Sequence, residues 1–407
     1  MRELLSVDEA RDRVLAAAAA AGPPRVEDVP VADAAGRVLA ETVVAAHDVP
    51  RFAVSAMDGL AVRVGPAGRT LTVVGESRAG APAGRAVGPG EAILVSTGAA
   101  LPAGADGVVM VEDTERRDDG TVVVHRETTA GRHVRGPGED LRAGQTVLTP
   151  GVRLGPVELG VAVGAGRGTL RCARAPRVAV LATGDELTAP GAPLGPGALH
   201  DSNGVLLAGL ARRAGGDVVL TARVADTPEA TRAAIAQALH HADVLLLSGG
   251  VSVGAHDHVK DALRACGVRK AFWRVALKPG KPTWFGTTEP DGTGDDDERG
   301  RLVFGLPGNP VSSAVTFLLF ARPALAALQG ETPAAAPPRV RLAEPIPREP
   351  HRAHAVRVRV RDGLATPTGP SQGSHVLSSL LGADGLVIVA AGDDEVAAGT
   401  EIAVEPI

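Results

Sequence analysis

The sequence predicts a multidomain α/β-plus-β protein: a three-layer α/β/α unit built on a parallel-type sheet, flanked by small β domains. Three observations carry this. The chain has 407 residues, too many for one hydrophobic core, so two to four domains are expected. From about residue 176, strand-like apolar runs alternate with helical ones, the pattern of a parallel sheet covered by helices on both faces. On either side of that region, short β-like runs alternate with Gly, Pro and Asp turns.

The elements follow in order. Ser6-Val7-Asp8-Glu9 reads as a capping box, Ser at the N-cap and Glu at N3, opening an alanine-rich helix that ends near Gly22-Pro23-Pro24. Runs at 71–74, 92–95, 107–111 and 121–124 read as strands of one or two small all-β modules between about 26 and 175. The continuous apolar run 177–182 suits a strand buried on both faces. A helix is expected around 205–214, a strand at 217–224, and a helix entered through Thr227-Pro228-Glu229, with Pro at its first position, running to about His241. Strands at 243–247 and 302–305, a helix at 257–265 and a long apolar helix at 312–328, kinked near Pro323, complete the unit. The acidic stretch 291–298 reads as a solvated hairpin tip, and 333–338 as a linker. Four β-like runs, at 340–342, 356–360, 386–389 and 402–404, form the C-terminal part.

Composition excludes several functions. Basic residues number 42 against 47 acidic, a formal charge of −5, with no basic stripe for nucleic acid or an anionic membrane. Aromatics make up 2% and Tyr is absent, which disfavours base stacking. No run reaches the ~18 apolar residues of a membrane span. Cys172 and Cys266 follow no metal spacing and read as buried free thiols, as in a reducing cytoplasm, and no signal peptide is visible.

Chemistry concentrates in the loops after the α/β strands: Leu181-Ala182-Thr183-Gly184-Asp185-Glu186, Ser248-Gly249-Gly250-Val251-Ser252-Val253-Gly254, and Leu306-Pro307-Gly308-Asn309-Pro310-Val311-Ser312. Ligands bind beyond the carboxyl ends of parallel strands, where glycines permit close approach and helix N-termini offer N–H groups to phosphate. The glycine spacing matches neither the dinucleotide fingerprint nor the P-loop, so a standard NAD or nucleotide-triphosphatase site is disfavoured. Asp185, Glu186, Asp226 and Asp257 lie at strand ends; carboxylates beside phosphate loops suggest Mg²⁺, although Asp226 before Thr227-Pro228 could equally cap a helix. His256 and His258 read as surface residues. In the β region, Ser55-Ala56-Met57-Asp58-Gly59, Ser96-Thr97-Gly98-Ala99 and Gly136-Pro137-Gly138-Glu139-Asp140 read as tight turns with acidic tips.

Lys278-Pro279-Gly280-Lys281 fits a type II β-turn, with Pro second and Gly third. Its end residues would lie within about 7 Å, so the two ammonium groups could share one anion. This suggests an oxyanion pocket held by the flanking sheet.

These motifs resemble those of the molybdopterin molybdenumtransferase family, which completes molybdenum cofactor and includes the E domain of gephyrin and its plant relatives. SAMDG (55–59), STGAALPAGADGVV (96–109), RGPGED (135–140), VLATGDEL (180–187), DSNG (201–204), SGGVSVGAHD (248–257), KPGKP (278–282), GLPGNPVS (305–312) and QGSH (372–375) occur in the family's order across almost the whole chain. The resemblance implies four units: 1–44 with 141–175 as an elongated dimerisation segment, 45–140 as a β domain, 176–330 as a molybdopterin-binding domain, and 339–407 as a β-barrel-like domain. It implies a cytoplasmic homodimer, adenylylated molybdopterin and molybdate as substrates, AMP as product and Mg²⁺ as helper. A molybdopterin adenylyltransferase would supply the substrate.

By the same resemblance Lys278, Lys281, Ser312, Arg357 and Ser374 would bind molybdate. Thr183, Gly184, Ser248, Gly249, Gly250, Ser252, Pro307 and Asn309 would cradle the pterin phosphate and adenylate, and Glu186, Asp226 and Asp257 would hold Mg²⁺ and serve catalysis. Asp58, Thr97 and Asp140 would come from the partner subunit. The sequence departs from the family at Ala53-Val54, usually Asp-Asn, and at Leu60, usually aromatic. Alternatives are a molybdopterin adenylyltransferase, which shares the α/β unit alone, and a non-catalytic pterin-binding scaffold. Tungstate is a chemically close alternative to molybdate.

Overall fold

The computed structural model describes residues 4–251, 258–289, 299–333, 336–369 and 371–407. Ser252, His256, Asp257 and the acidic stretch 291–298 lie outside the described residues, as does part of the 333–338 linker.

Six strands build the central sheet: β1 (Arg177–Thr183), β2 (Asp217–Val224), β3 (Val244–Ser248), β4 (Arg269–Trp273), β5 (Trp284–Thr287) and β6 (Leu302–Leu306). Their spatial order is β2-β1-β3-β6-β5-β4. β2, β1, β3 and β6 are mutually parallel. The expected parallel sheet is therefore mixed: β4 and β5 form an antiparallel hairpin on its edge, and β5 runs antiparallel to β6. Every residue of β3 and β6 is buried, because helices cover both faces.

Two cores sandwich the sheet. On one side pack the helices Ser202–Arg213 and Pro310–Leu328; on the other pack Pro228–His241 and Val259–Ala265. Aromatics are spent here: five of the six Phe lie in the first core, and Phe272, Phe285 and Phe304 stack in series at ring-centroid distances of 5.5 and 4.9 Å. Pro310–Leu328 is long and apolar enough to cross a membrane, but 78% of that stretch is buried inside the protein, as for a core helix. It widens into a π turn at Phe317–Ala321, just ahead of Pro323. Pro lacks an N–H and its ring crowds the carbonyl four residues back, which the wider turn accommodates.

The N-terminal helix Val7–Ala20 opens with its capping box in place: the Ser6 hydroxyl accepts from Glu9 N–H, and Ser6 N–H donates to Glu9 Oε2. The sequence groups this helix with 141–175. Its buried face, Val7, Ala10, Val14 and Ala18, instead belongs to the first α/β core. The core shared with 141–172 begins at Val29 and includes Leu39, Val43, Leu154 and Leu170.

A six-stranded sheet, with Gly59–Val62 paired to both Glu91–Val95 and Gly107–Met110, forms the β domain. Gly59 is obligatory there: a Cβ would sit 1.9 Å from the Val109 carbonyl oxygen. Leu60, at the position where the family usually carries an aromatic, is 3% exposed and fills this domain's core. In the C-terminal domain a seven-stranded sheet is centred on Ala353–Arg361. Its seventh strand is Leu277–Lys278, lent by the α/β domain and paired in parallel, Lys278 opposite His354.

Candidate active site

The chain runs from β1 outward to β2, then returns past β1 to β3, so the switch point lies between the carboxyl ends of β1 and β3. Thr183 and Ser248 end these strands; the Thr183 hydroxyl donates to the Ser248 carbonyl at 3.5 Å. The loops that follow open a cleft of about 670 Å³ lined by Glu186, Asn203, Gly250, Pro307, Asn309 and His375, among others. That volume suits a ligand of cofactor size.

Asn203 binds the loops to one another. Its amide donates to Ser248 Oγ at 2.8 Å and to the Gly308 carbonyl at 2.6 Å, while its own Oδ1 is buried with no partner among the described residues. Gly249 reaches φ +91°, and a Cβ there would meet the Thr183 carbonyl at 2.8 Å, so only glycine lets the β3 loop fold back over β1. Ser313, one turn into the next helix, donates to the Pro307 carbonyl. Asn203 and His375 are site residues that sequence reasoning missed, although both stand inside quoted motifs (DSNG and QGSH).

The carboxylates converge. Asp226 N–H donates to Asp185 Oδ1 at 2.9 Å. Burial, then the charges of Asp185 and Glu186, push the Asp226 carboxyl above the usual carboxylate range; His258 pulls the other way. Thr227, not Asp226, caps the helix Pro228–His241, its hydroxyl accepting from Ala230 N–H at 3.2 Å. The Asp226 side chain is thereby spared capping. Among the described residues no three His, Cys, Asp or Glu side chains are close enough to hold a metal alone.

The lysine hairpin differs from the expected type II turn. The Lys278–Pro279 peptide is cis, and the tight turn is Gly280–Thr283, with Thr283 N–H and Oγ1 both donating to the Gly280 carbonyl at 3.2 and 2.6 Å. Strand pairing with the C-terminal domain claims the backbone of Lys278, so long-range pairing overrides the local preference. The two lysines do not share an environment: Lys278 Nζ donates to Glu349 Oε1, whereas Lys281 is exposed. Pro282, next to Lys281, lines the cleft.

From the C-terminal domain, Ser374 Oγ accepts from the Asn309 amide at 2.8 Å and its carbonyl accepts from Val311 N–H at 3.1 Å. Ser312 is buried in the first turn of the helix beginning at Pro310. Arg357 departs from an open oxyanion contact. It is 0% exposed, and its guanidinium donates to Ser379 Oγ (3.1 Å) and to the Gln372 (3.1 Å) and Gly373 (3.3 Å) carbonyls. Burial draws it down to about 10. It clasps the loop that carries Ser374.

Asp58 accepts from Thr97 N–H at 2.7 Å and from its hydroxyl at 3.2 Å. Asp58, Thr97 and Asp140 are all exposed, and among the described residues no hydrogen bond or ion pair joins them to the α/β loops. Glu186 is exposed at the cleft rim; of the two thiols expected to be buried, Cys172 is buried while Cys266 is only half-buried.

A Gly-rich switch-point cleft, with Glu186 at its rim and His375 of the C-terminal domain in its lining, defines an α/β enzyme that handles a cofactor-sized substrate. Three family signatures match in order: "MoeA N-terminal region (domain I and II)" at 5–166, "Probable molybdopterin binding domain" at 179–327 and "MoeA C-terminal region (domain IV)" at 339–407. The molybdopterin molybdenumtransferase of Haemophilus influenzae is 32% identical, covering 99% of this chain and 98% of that one. Molybdopterin molybdenumtransferase 2 of Mycobacterium tuberculosis is 36% identical over 92% of this chain and 94% of its own length. The crystal structure of the molybdopterin biosynthesis moeA protein of Pyrococcus horikoshii superposes with a TM-score of 0.79 at 27% identity, over 98% of this chain and 99% of that one. The chain belongs to the MoeA-type molybdopterin molybdenumtransferase family.

Proposed function

We propose that this enzyme inserts molybdenum, delivered as molybdate, into adenylylated molybdopterin and releases AMP. The observation that carries the reading is the meeting of two features on one cleft: the Gly-rich loops after β1, β3 and β6, and the lysine hairpin whose Pro282 lines the same wall. Molybdate is a tetrahedral dianion, suited to ammonium and hydroxyl donors, here Lys278, Lys281, Ser312 and Ser374. Gly184, Gly249 and Gly250 let the pterin phosphate and adenylate approach the backbone, with Thr183, Ser248, Pro307 and Asn309 around them.

Mg²⁺ suits the Glu186 and Asp226 carboxylates, hard oxygen donors whose mutual repulsion a cation would relieve; two carboxylates leave positions for phosphate oxygens, and Asp257, the third proposed ligand, lies outside the described residues. When bound, Mg²⁺ supplies charge stabilisation for the departing AMP. Asp58, Thr97 and Asp140 act from the second subunit of a homodimer. Supporting this, they face solvent in the single chain, and the helix Pro156–Gly164 exposes Val157 (72%) and Val163 (59%) for burial against a partner. A molybdopterin adenylyltransferase supplies the substrate, in the cytoplasm. That reaction itself is not favoured for this chain, because the family match spans the full length rather than the α/β unit alone.

The test is incubation with adenylylated molybdopterin, molybdate and Mg²⁺, following AMP release and protein-bound molybdenum together. Failure of molybdate to trigger AMP release would refute the reading. Sedimentation at micromolar concentration should give a dimer; an active monomer would refute the shared site.

A further inference from the structure

Lys278, the half-buried end of the hairpin, already has an anion. Glu349 Oε1 accepts its ammonium proton, and Glu349 Oε2 lies 3.6 Å from the Arg352 guanidinium. The pairing is fixed by the backbone, because Leu277–Lys278 forms a strand of the C-terminal sheet, in register with Ala353 and His354. Other charges nearby do not replace Glu349. His354 is 8% exposed, and among the described residues neither ring nitrogen makes a hydrogen bond of good geometry. Burial first, and then Lys278, push its imidazole toward the neutral form. Lys278 holds the Glu349 carboxyl below the ordinary carboxylate range, so the pair is charged at neutral pH.

We propose that Glu349 is the resident counter-ion of Lys278 and sets oxyanion affinity: it occupies the lysine in the empty enzyme and is handed to Arg352 when a tetrahedral dianion arrives. This rests on the reading that Lys278 binds molybdate. A carboxylate carries one charge and a dianion two, so the exchange favours dianionic oxyanions over monoanions of similar size. The lysine is kept compensated and aimed until its ligand enters.

The handover costs the empty-state ion pair. Half-exposed pairs of this kind correspond to about a two- to fivefold effect on an equilibrium constant. The test is calorimetric titration of the full-length protein with molybdate, comparing wild type, Glu349→Gln, Lys278→Ala and the double variant, with thermal melting of each to verify folding. Glu349→Gln should bind molybdate about two- to fivefold more tightly, and the double variant should gain nothing over Lys278→Ala. Unchanged or weaker binding by folded Glu349→Gln, alongside a loss in Lys278→Ala, overturns the counter-ion role alone. Unchanged binding by Lys278→Ala overturns the oxyanion reading of the lysine, and this proposal with it. Should Glu349→Gln fail to fold, Glu349→Asp replaces it. The shorter arm reaches Lys278 less well, so the same tightening is expected and its absence counts against the proposal.

Discussion

Replacing Arg357 with alanine tests whether the arginine holds a loop or touches the ligand. Its guanidinium is 0% exposed and donates to Ser379 Oγ and to the Gln372 and Gly373 carbonyls. Hydrogen bonds from a charged donor contribute about 1.5 kcal/mol each at the low end, some 4.5 kcal/mol for three. Burial without a carboxylate opposes this by about 3.4 kcal/mol, from a pKa drawn down from 12.5 to about 10 at 1.36 kcal/mol per unit. The intact network therefore contributes only about 1 kcal/mol net. Truncation costs more, because it strands three oxygens and leaves a cavity, so Arg357→Ala should destabilise by about 3 kcal/mol. Arg357→Lys should recover less than half, since one ammonium cannot span the three acceptors. Urea unfolding monitored by circular dichroism gives the free energies, and titration with molybdate gives the affinity. Molybdate binding should weaken in both variants through misplacement of Ser374. Stability within about 0.5 kcal/mol of wild type combined with lost molybdate binding would refute the clasp and make Arg357 a direct ligand contact.

Three further outcomes are expected. Asn203→Ala should lower unfolding free energy by about 1–2 kcal/mol and weaken adenylylated-molybdopterin binding, because the Gly308 carbonyl and the Ser248 hydroxyl lose their shared donor; equilibrium unfolding and ligand titration read both effects. Gly59→Ala should destabilise by about 3 kcal/mol or prevent folding, whereas Gly75→Ala, with nothing within 4 Å of its Cβ, should stay within about 0.5 kcal/mol in the same thermal scan. Asp226, whose carboxyl is raised by burial and by Asp185 and Glu186, binds its proton more tightly when folded. Its contribution to stability is therefore full below the unfolded carboxylate pKa and is lost as pH rises through the raised value. Asp226→Asn should flatten that part of the pH–stability profile and raise the melting temperature near neutrality.

Much of the architecture is legible locally. The apolar runs at β1, β3 and β6 declare strands because burial on both faces leaves few polar positions to break them, and the edge strand β2 shows itself by its β-branched residues instead. Ser6 and Glu9 sit at the spacing of a capping box, and the box forms. The Gly-rich loops belong at carboxyl strand ends wherever strands and helices alternate, and they meet there at the cleft. The antiparallel β4–β5 hairpin was not legible, since short apolar runs carry no sign of direction. Asp226 read equally as a Mg²⁺ ligand and as a helix cap, until the structure gave the cap to Thr227.

By itself the sequence determined the order of strands and helices, the placement of the glycine and carboxylate loops, and the motifs of the family. Those properties reside in neighbours along the chain, where steric and periodic constraints act over a few residues. Only the tertiary structure decided that Lys278 faces Glu349 rather than Lys281, that Arg357 is buried under the Ser374 loop, and that Asn203 joins the loops after β3 and β6. A turn preference is worth less than a strand pairing, and a charge's partner is set by what desolvates beside it; both are fixed by residues far away along the chain.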